Sequence, residues 1–256
     1  MPRRRIAVAG ATGSIGRHVV DLLEAQGHDI VPMSRASGVD LITGEGLADA
    51  LAGVATVIDV ATQPSPEEEA ATAFFTAATR NLQEVGEQAG VERIVVVSII
   101  GIDRFTKGYY AAKLAHERAM LSGPIPVRIL RAAQLHEFVP QLVDWGRQGD
   151  VSYVPSWRTQ LVAARTVAES LVDLANGSEP ARGSSPPFPE IAGPREESLV
   201  EVAKLVAARH GDPVRIEVPS NSPWPESHLF ETGALLPGPH ATLAGPTFEE
   251  WLDSTS

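Results

Sequence analysis

Tyr109 and Lys113 stand four residues apart in Tyr109-Tyr110-Ala111-Ala112-Lys113, with Leu114, Ala115 and Glu117 following. On a helix this spacing puts a phenol and an ammonium on one face. A free tyrosine, with a pKa of about 10, is a poor acid–base group at neutral pH, but a neighbouring cation stabilises its phenolate. A tyrosine so assisted can protonate a carbonyl oxygen while hydride reaches the carbon. Tyr110 has Leu114 at the matching position and lacks that partner. Ser98 closes the apolar run from Arg93 to Ser98, one helix before the pair. Its hydroxyl is placed either to bind the same substrate oxygen or to satisfy its own strand end.

A second constellation lies near the N-terminus. Arg5 to Gly16 reads as a buried-type strand (Ile6, Ala7, Val8, Ala9) running into Gly10, Gly13 and Gly16, then a helix with Val19, Val20, Leu22 and Leu23 on one face. A strand, a glycine turn and a helix start together form a site for a dinucleotide. Gly10 allows the sharp turn, Gly13 lets the backbone approach a pyrophosphate, and Gly16 lets the helix pack close to its strand. The helix start presents unpaired N–H groups and a partial positive charge to the phosphates. The spacing is G-x-x-G-x-x-G, not the commoner G-x-G-x-x-G.

These residues need a scaffold, and the pattern along the chain supplies one. Strand-like segments at Asp29–Met33, Val54–Ala61, Arg93–Ser98 and Val127–Leu130 alternate with helix-like ones at Gly44–Ala52, Glu67–Gln88 and Tyr109–Leu121. Such alternation predicts an α/β fold with a doubly wound parallel sheet covered on both faces. Ligands bind such sheets beyond the carboxyl ends of the strands, so Gly10, Ala61 and Ser98 are expected to meet at one cleft. Past Arg131 the alternation weakens. Gln134–Gly146, Ala164–Ala175 and Glu196–His210 read as helices, Ile191–Pro194 and Val214–Val218 as short strands, Gly177–Pro189 as a loop, and Phe248–Leu252 as a closing helical turn. We therefore expect a core over residues 1–131 and a smaller C-terminal substrate lobe over 132–256, interleaved with the core. Glu67-Glu68-Glu69 is expected to favour the start of its helix.

Bulk properties exclude several classes of function. A chain of 256 residues, 43% hydrophobic, is long enough for one substantial core with a small lobe. Its net charge of −11 disfavours neutralising nucleic acid or anionic lipid, and no apolar stretch is long enough to span a membrane. The absence of cysteine removes disulfides, thiolate metal sites and thiol nucleophiles, and fits a cytoplasmic setting. His18, His28 and His116 lack metal-type spacing, and no metal is expected.

Cofactor choice is read at the end of the second strand. An NAD-selective site places an acid there, but the chain has Pro32-Met33-Ser34-Arg35. Arg35 is suited to pair with a 2'-phosphate, Ser34 adds a hydroxyl, and Asp40 is placed to approach the adenine edge. The expectation is NADP(H), with NAD(H) as the alternative. Gln134, His136 and Phe138 follow the strand ending at Leu130 and are candidates to line the substrate pocket, His136 also as a proton relay. Trp157, Phe188, Trp224 and Phe230 are candidates for an apolar lid.

Taken together, G-A-T-G-S-I-G, V-V-V-S-I-I-G-I-D, Y-Y-A-A-K-L-A-H-E and V-R-I-L-R-A-A-Q-L-H-E-F resemble the short-chain dehydrogenase/reductase superfamily, and within it the atypical, NmrA-like NAD(P)H-binding branch. The resemblance implies a Rossmann fold, with cofactor contacts from Gly10, Thr12, Gly13, Ser14, Ile15, Gly16, Ala61, Thr62 and Lys113. It also implies Tyr109 as the acid–base group, Lys113 as ribose holder and Ser98 as the oxygen ligand. The expected activity is NADPH-dependent reduction of a carbonyl, quinone or enone on a small, mostly apolar molecule, by a monomer or homodimer. An epimerase or dehydratase with a retained nucleotide, and a non-catalytic NADP(H) sensor, are the alternatives. Two features depart from the superfamily pattern. Ser98 is followed by two aliphatics, Ile99 and Ile100, and it stands closer to Tyr109 than in most members with a full triad.

Overall fold

The computed structural model describes residues 3–63, 67–177, 184–221 and 224–255. The first half alternates as its hydrophobic pattern requires: β1 (Arg5–Ala9), α1 (Gly16–Ala25), β2 (Asp29–Met33), α2 (Leu47–Leu51), β3 (Thr56–Asp59), α3 (Glu68–Ala89), β4 (Arg93–Ile99), α4 (Gly108–Leu121) and β5 (Val127–Ala132). The second half holds α5 (Phe138–Trp145), β6 (Arg147–Gln148), β7 (Val151–Tyr153), β8 (Arg158–Thr159), α6 (Ala164–Asn176), β9 (Glu190–Ala192), β10 (Glu197–Ser198), α7 (Leu199–Arg209), β11 (Arg215–Glu217), α8 (Ser227–Glu231), β12 (Thr242–Leu243) and α9 (Phe248–Thr255).

The main sheet has seven strands in the order β12-β9-β5-β4-β3-β1-β2, all parallel. This is a Rossmann-like α/β fold. Successive residues of a strand point to opposite faces, and the two cores follow that period. Ile6, Val8, Ile58 and Val95 pack with Val19 and Leu23 of α1 and Val167 and Leu171 of α6. Ala7, Ala9, Val57 and Ile94 face the other way, toward Leu47, Leu82 and Met120. Pro32 sits opposite Val8 in β2, where its missing N–H is harmless because β2 is an edge strand. Strand order reverses between β1 and β3, which makes the crevice beyond their carboxyl ends the expected ligand position.

Beyond residue 131 the chain does two jobs. β9 and β12 extend the main sheet, and α6 covers its α1 face. A separate core is built from α5, α7 and α9 with Val154, Trp157 and Phe230. Two helices begin later than their periodicity predicts. Gln134 and Leu135 are held extended by pairing with Val162, so α5 starts only at Phe138. Glu197 and Ser198 pair with β8, so α7 starts at Leu199. Part of the loop read at Gly177–Pro189 lies outside the described residues. Among the described residues no helix is long and apolar enough to cross a membrane.

Candidate active site

The glycine loop closes the gap between β1 and α1. Gly10 has φ +78°, and a Cβ there would lie 2.8 Å from Ala61 Cα, so the turn after β1 touches the turn after β3. A Cβ on Gly16 would overlap the Gly10 carbonyl oxygen. Gly13 differs from both, since its Cβ would meet only that oxygen, at 3.3 Å, and its other side is open. The N–H groups of Thr12, Ser14 and Ile15 donate to no described residue. Free donors around an open glycine at a helix start fit the pyrophosphate of a dinucleotide. The residues present therefore suit the cofactor that the loop pattern implies.

At the end of β2, Ser34 and Ser37 cap each other across one tight turn, with Ser37 N–H donating to Ser34 Oγ at 3.2 Å and Ser34 N–H to Ser37 Oγ at 2.9 Å. The Ser34 hydroxyl is thereby engaged locally. Arg35 beside it is exposed, with no ion pair to a described residue. Asp40 accepts the N–H groups of Ile42 at 2.7 Å and Thr43 at 3.2 Å. Both bonds end on Oδ1, so one carboxylate oxygen shapes the turn that follows.

α4 carries Tyr109 and Lys113 and is pinned at its start and along its length. Glu68, from the acidic start of α3, accepts the Gly108 N–H at 2.6 Å, and Glu226 accepts the N–H groups of Thr106 and Lys107 at 3.0 and 3.2 Å. These carboxylates satisfy donors at a helix start that no residue of α4 itself caps. Arg131 of β5 grips Glu117 through two bonds, at 2.9 and 2.8 Å, and also pairs with Asp103 in the turn before α4. That turn is the reason Ser98 and Tyr109 are so near in sequence. It folds tightly at Gly101 (φ +75°), where a Cβ would overlap the Ala234 carbonyl.

Tyr109 does not hydrogen-bond to Lys113. Its hydroxyl lies 2.9 Å from Thr62 Oγ1 in the segment after β3. Burial raises the phenol pKa, with the Thr62 hydrogen bond pulling the other way. Lys113 Nζ lies 3.1 Å from His116 Nδ1 and 4.6 Å from the centre of the Phe75 ring. His116 stacks on Phe75, and its Nε2 is 3.7 Å from Asp59. Burial lowers the Lys113 pKa to about 8, while Asp59 and Glu117 oppose the fall. Burial raises the Asp59 carboxyl and, with Lys113, holds His116 well below its usual value. A buried ammonium needs compensating partners, and here Asp59, His116 and Phe75 supply them. The expectation that Lys113 lowers the phenol pKa directly is corrected on this point.

An apolar cavity of about 400 Å³ opens beyond β3, β4 and β5. Ala61, Thr62, Ser98, Tyr109 and Lys113 line it on the sheet side, and Gln134, Phe138 and Trp157 on the lobe side. Ile15, Tyr110, Gln141, Trp145 and Trp224 complete its wall. His136 does not line it. His136 is fully buried behind α5, edge-on to Phe248 at 5.4 Å and beside Trp251, and burial pushes its pKa down to about 4, against a weak pull from the Leu161 carbonyl. It is a core histidine, because the extended pairing at Gln134–Leu135 turns it away from the strand ends. Phe188 packs over Arg131 on the opposite side of the sheet core, and Phe230 lies beneath Trp157, stacked at 4.2 Å. Of the four aromatics read as a lid, Trp157 and Trp224 face the cavity; Trp145, Tyr110 and Gln141 carry no local pattern that marks them. Among the described residues no group of side chains is arranged to hold a metal ion.

The NAD(P)H-binding family profile matches residues 10–176. The human sterol-4-alpha-carboxylate 3-dehydrogenase, decarboxylating, is 25% identical over 191 residues, covering 59% of this chain and 51% of that protein. The 3-beta-hydroxysteroid dehydrogenase of Mycolicibacterium neoaurum is 30% identical over 112 residues, 36% of this chain and 31% of that protein. The chain thus spans about half, or less, of the length of these relatives. Among solved structures, MoeE5 in complex with UDP-glucose and NAD superposes with a TM-score of 0.69 at 21% identity, over 97% of this chain and 96% of that one. The dTDP-4-dehydrorhamnose reductase of Bacillus anthracis, in complex with NADP, gives 0.67 at 17% identity, over 98% of both chains. At these identities the likeness is one of fold. The match over residues 10–176 covers well over half of the sequence, and the chain belongs to the NAD(P)H-binding family.

Proposed function

We propose that the protein is an NADP(H)-dependent reductase of the short-chain dehydrogenase/reductase type, acting on a carbonyl, quinone or enone of a small, mostly apolar molecule. The observation that carries this reading is the apolar cavity with Tyr109, Ser98 and Lys113 at its sheet end, next to the glycine loop. The loop from Gly10 to Gly16 and Lys113 would hold the nicotinamide dinucleotide, which would supply the hydride. Tyr109 donates the proton to the substrate oxygen, Ser98 hydrogen-bonds that oxygen, and Lys113 holds the ribose. Phe138, Trp157 and Trp224 give the lobe side of the cavity an apolar wall. Arg35, with no acid at the end of β2, supports preference for the 2'-phosphate. The short motifs around Gly10 and Tyr109 support placement near the NmrA-like branch.

Two curated relatives are named for oxidation of sterol or steroid hydroxyl groups, which agrees with an apolar substrate. Reduced-nicotinamide absorbance, followed while NADPH is offered with a panel of ketones, quinones and enones, tests the proposal. Consumption that depends on a neutral carbonyl substrate supports it. A nucleotide that stays bound and unconsumed across the panel favours an epimerase, a dehydratase or a sensor.

A further inference from the structure

We infer that the cavity takes an uncharged, phosphate-free ring compound with at least two acceptor oxygens, one read by Tyr109 and Ser98 and another by Gln134 and Trp157. The inference deepens the proposed reductase and rests on it for the first oxygen only.

Charge supplies the first part. Lys113 is the one charged side chain lining the cavity among the described residues, and its ammonium is already engaged by His116 Nδ1 at 3.1 Å and by the Phe75 ring at 4.6 Å. Every described Arg and Lys of residues 132–256 sits in an ion pair with an acidic side chain, Arg158 with Glu196 and Arg195 with Glu249 among them. A nucleoside diphosphate would bring its two or more negative charges into this apolar space with only the engaged Lys113 to meet them. The fold is shared with enzymes solved with UDP-glucose, but that chemistry is not provided for here.

Unpaired donors supply the second part. Ser98 Oγ, Gln134 Nε2 and Trp157 Nε1 are buried, have no hydrogen-bond partner among the described residues, and belong to residues that line this same cavity. Buried polar groups in folded proteins are nearly always paired, so these three are placed for a ligand. Gln134 is oriented by Thr159, whose hydroxyl donates to its Oε1 at 3.0 Å. A carbonyl oxygen has two lone pairs, enough for Tyr109 and Ser98. The donors of Gln134 and Trp157 therefore require a second oxygen. The walls between them are aromatic, with Trp224 edge-on to Trp157 at 5.4 Å and Phe138 edge-on to Trp145 at 5.8 Å. Such walls favour a planar ring system.

The test is calorimetric titration of the NADP⁺-saturated protein with three probes: menadione, a two-ring neutral compound with two oxygens; α-tetralone, a two-ring ketone with one; and UDP-glucose. The chain has no cysteine for menadione to alkylate. Menadione should bind about tenfold or more tighter than α-tetralone, with no detectable binding of UDP-glucose. Gln134→Leu and Trp157→Phe, the latter keeping the ring stack, should each shrink the menadione preference to under about threefold while NADP⁺ affinity is unchanged. UDP-glucose binding as tightly as menadione, no binding of menadione, or an unchanged preference in both variants overturns the inference. Menadione that binds in the expected pattern while NADPH reduces neither it nor any other member of the carbonyl panel supports this inference and removes the reductase reading instead.

Discussion

The Tyr109 hydroxyl and Thr62 Oγ1, 47 residues apart in the chain, lie within 2.9 Å of each other across the cleft. The contact ties Tyr109 to the segment after β3 rather than to the lysine four residues along its own helix. Thr62 opposes the rise in phenol pKa that burial produces, so Thr62→Val leaves that rise unopposed. Alcohol oxidation, which needs the phenolate as base, should shift its pH profile upward and slow by about tenfold at neutral pH. Carbonyl reduction starts from the neutral phenol and should change by less than about threefold, with Thr62→Ser restoring the parent profile. Profiles measured in both directions check this, and an unmoved oxidation profile counts against the role of Thr62.

Arg35 bears on cofactor choice. With no acid at the end of β2 and an exposed guanidinium beside Ser34, NADPH should bind more tightly than NADH. Arg35→Ala should erase most of a difference on the order of 1 to 3 kcal/mol. Calorimetry that finds equal affinities in the unaltered protein contradicts the assignment.

Gly13 and Gly16 should fail in different ways when substituted. Gly13 has an open side and one close neighbour, the Gly10 carbonyl oxygen at 3.3 Å, so Gly13→Val should abolish nucleotide binding while lowering the melting temperature of the free protein far less than Gly16→Val does. Gly16→Val drives its side chain into the Gly10 carbonyl and should destabilise the fold itself. Thermal melts paired with nucleotide titrations separate the two, and a folded Gly13→Val with normal affinity removes the loop from the site.

Much of this arrangement was legible in the chain before folding was considered. The Val- and Ile-rich runs at Val57–Ile58 and Arg93–Ser98 mark buried parallel strands, and the glycines between β1 and α1 mark a turn that needs close approach. Local pattern carries no record of what folding joins from afar. A short strand at Ile191–Pro194 was readable and overlaps β9, but that β9 docks beside β5, and that the two-residue β12 then docks beside β9, leaves no local periodicity to read. The Thr62–Tyr109 contact and the anchoring of Lys113 by Asp59 and His116 likewise depend on packing between elements. His136 shows the opposite failure: its position after a sheet strand suggested a pocket residue, but extended pairing at Gln134–Leu135 turned it into the lobe core.

His136 therefore predicts a stability effect rather than a kinetic one. In the folded protein it stays neutral down to about pH 4, whereas the unfolded chain takes up the proton at about pH 6.5. The unfolded state binds more protons in that window, so stability falls as pH drops through it, by on the order of 3 kcal/mol at full extent. Urea unfolding at pH 7 and pH 5 should show a smaller acid loss in His136→Leu than in the parent, with turnover unchanged. Equal acid losses in both proteins would refute this assignment.

Under the proposed function, Tyr109 delivers the proton that accompanies hydride transfer. Tyr109→Phe keeps the ring and its edge contacts with Phe75 and Tyr110 but removes the transferable proton. Steady-state turnover on a ketone or quinone identified in the substrate panel should fall by roughly 10²- to 10⁴-fold, with NADPH affinity little changed and Tyr110→Phe comparatively silent. Undiminished turnover in Tyr109→Phe would contradict the account and assign the proton to another donor.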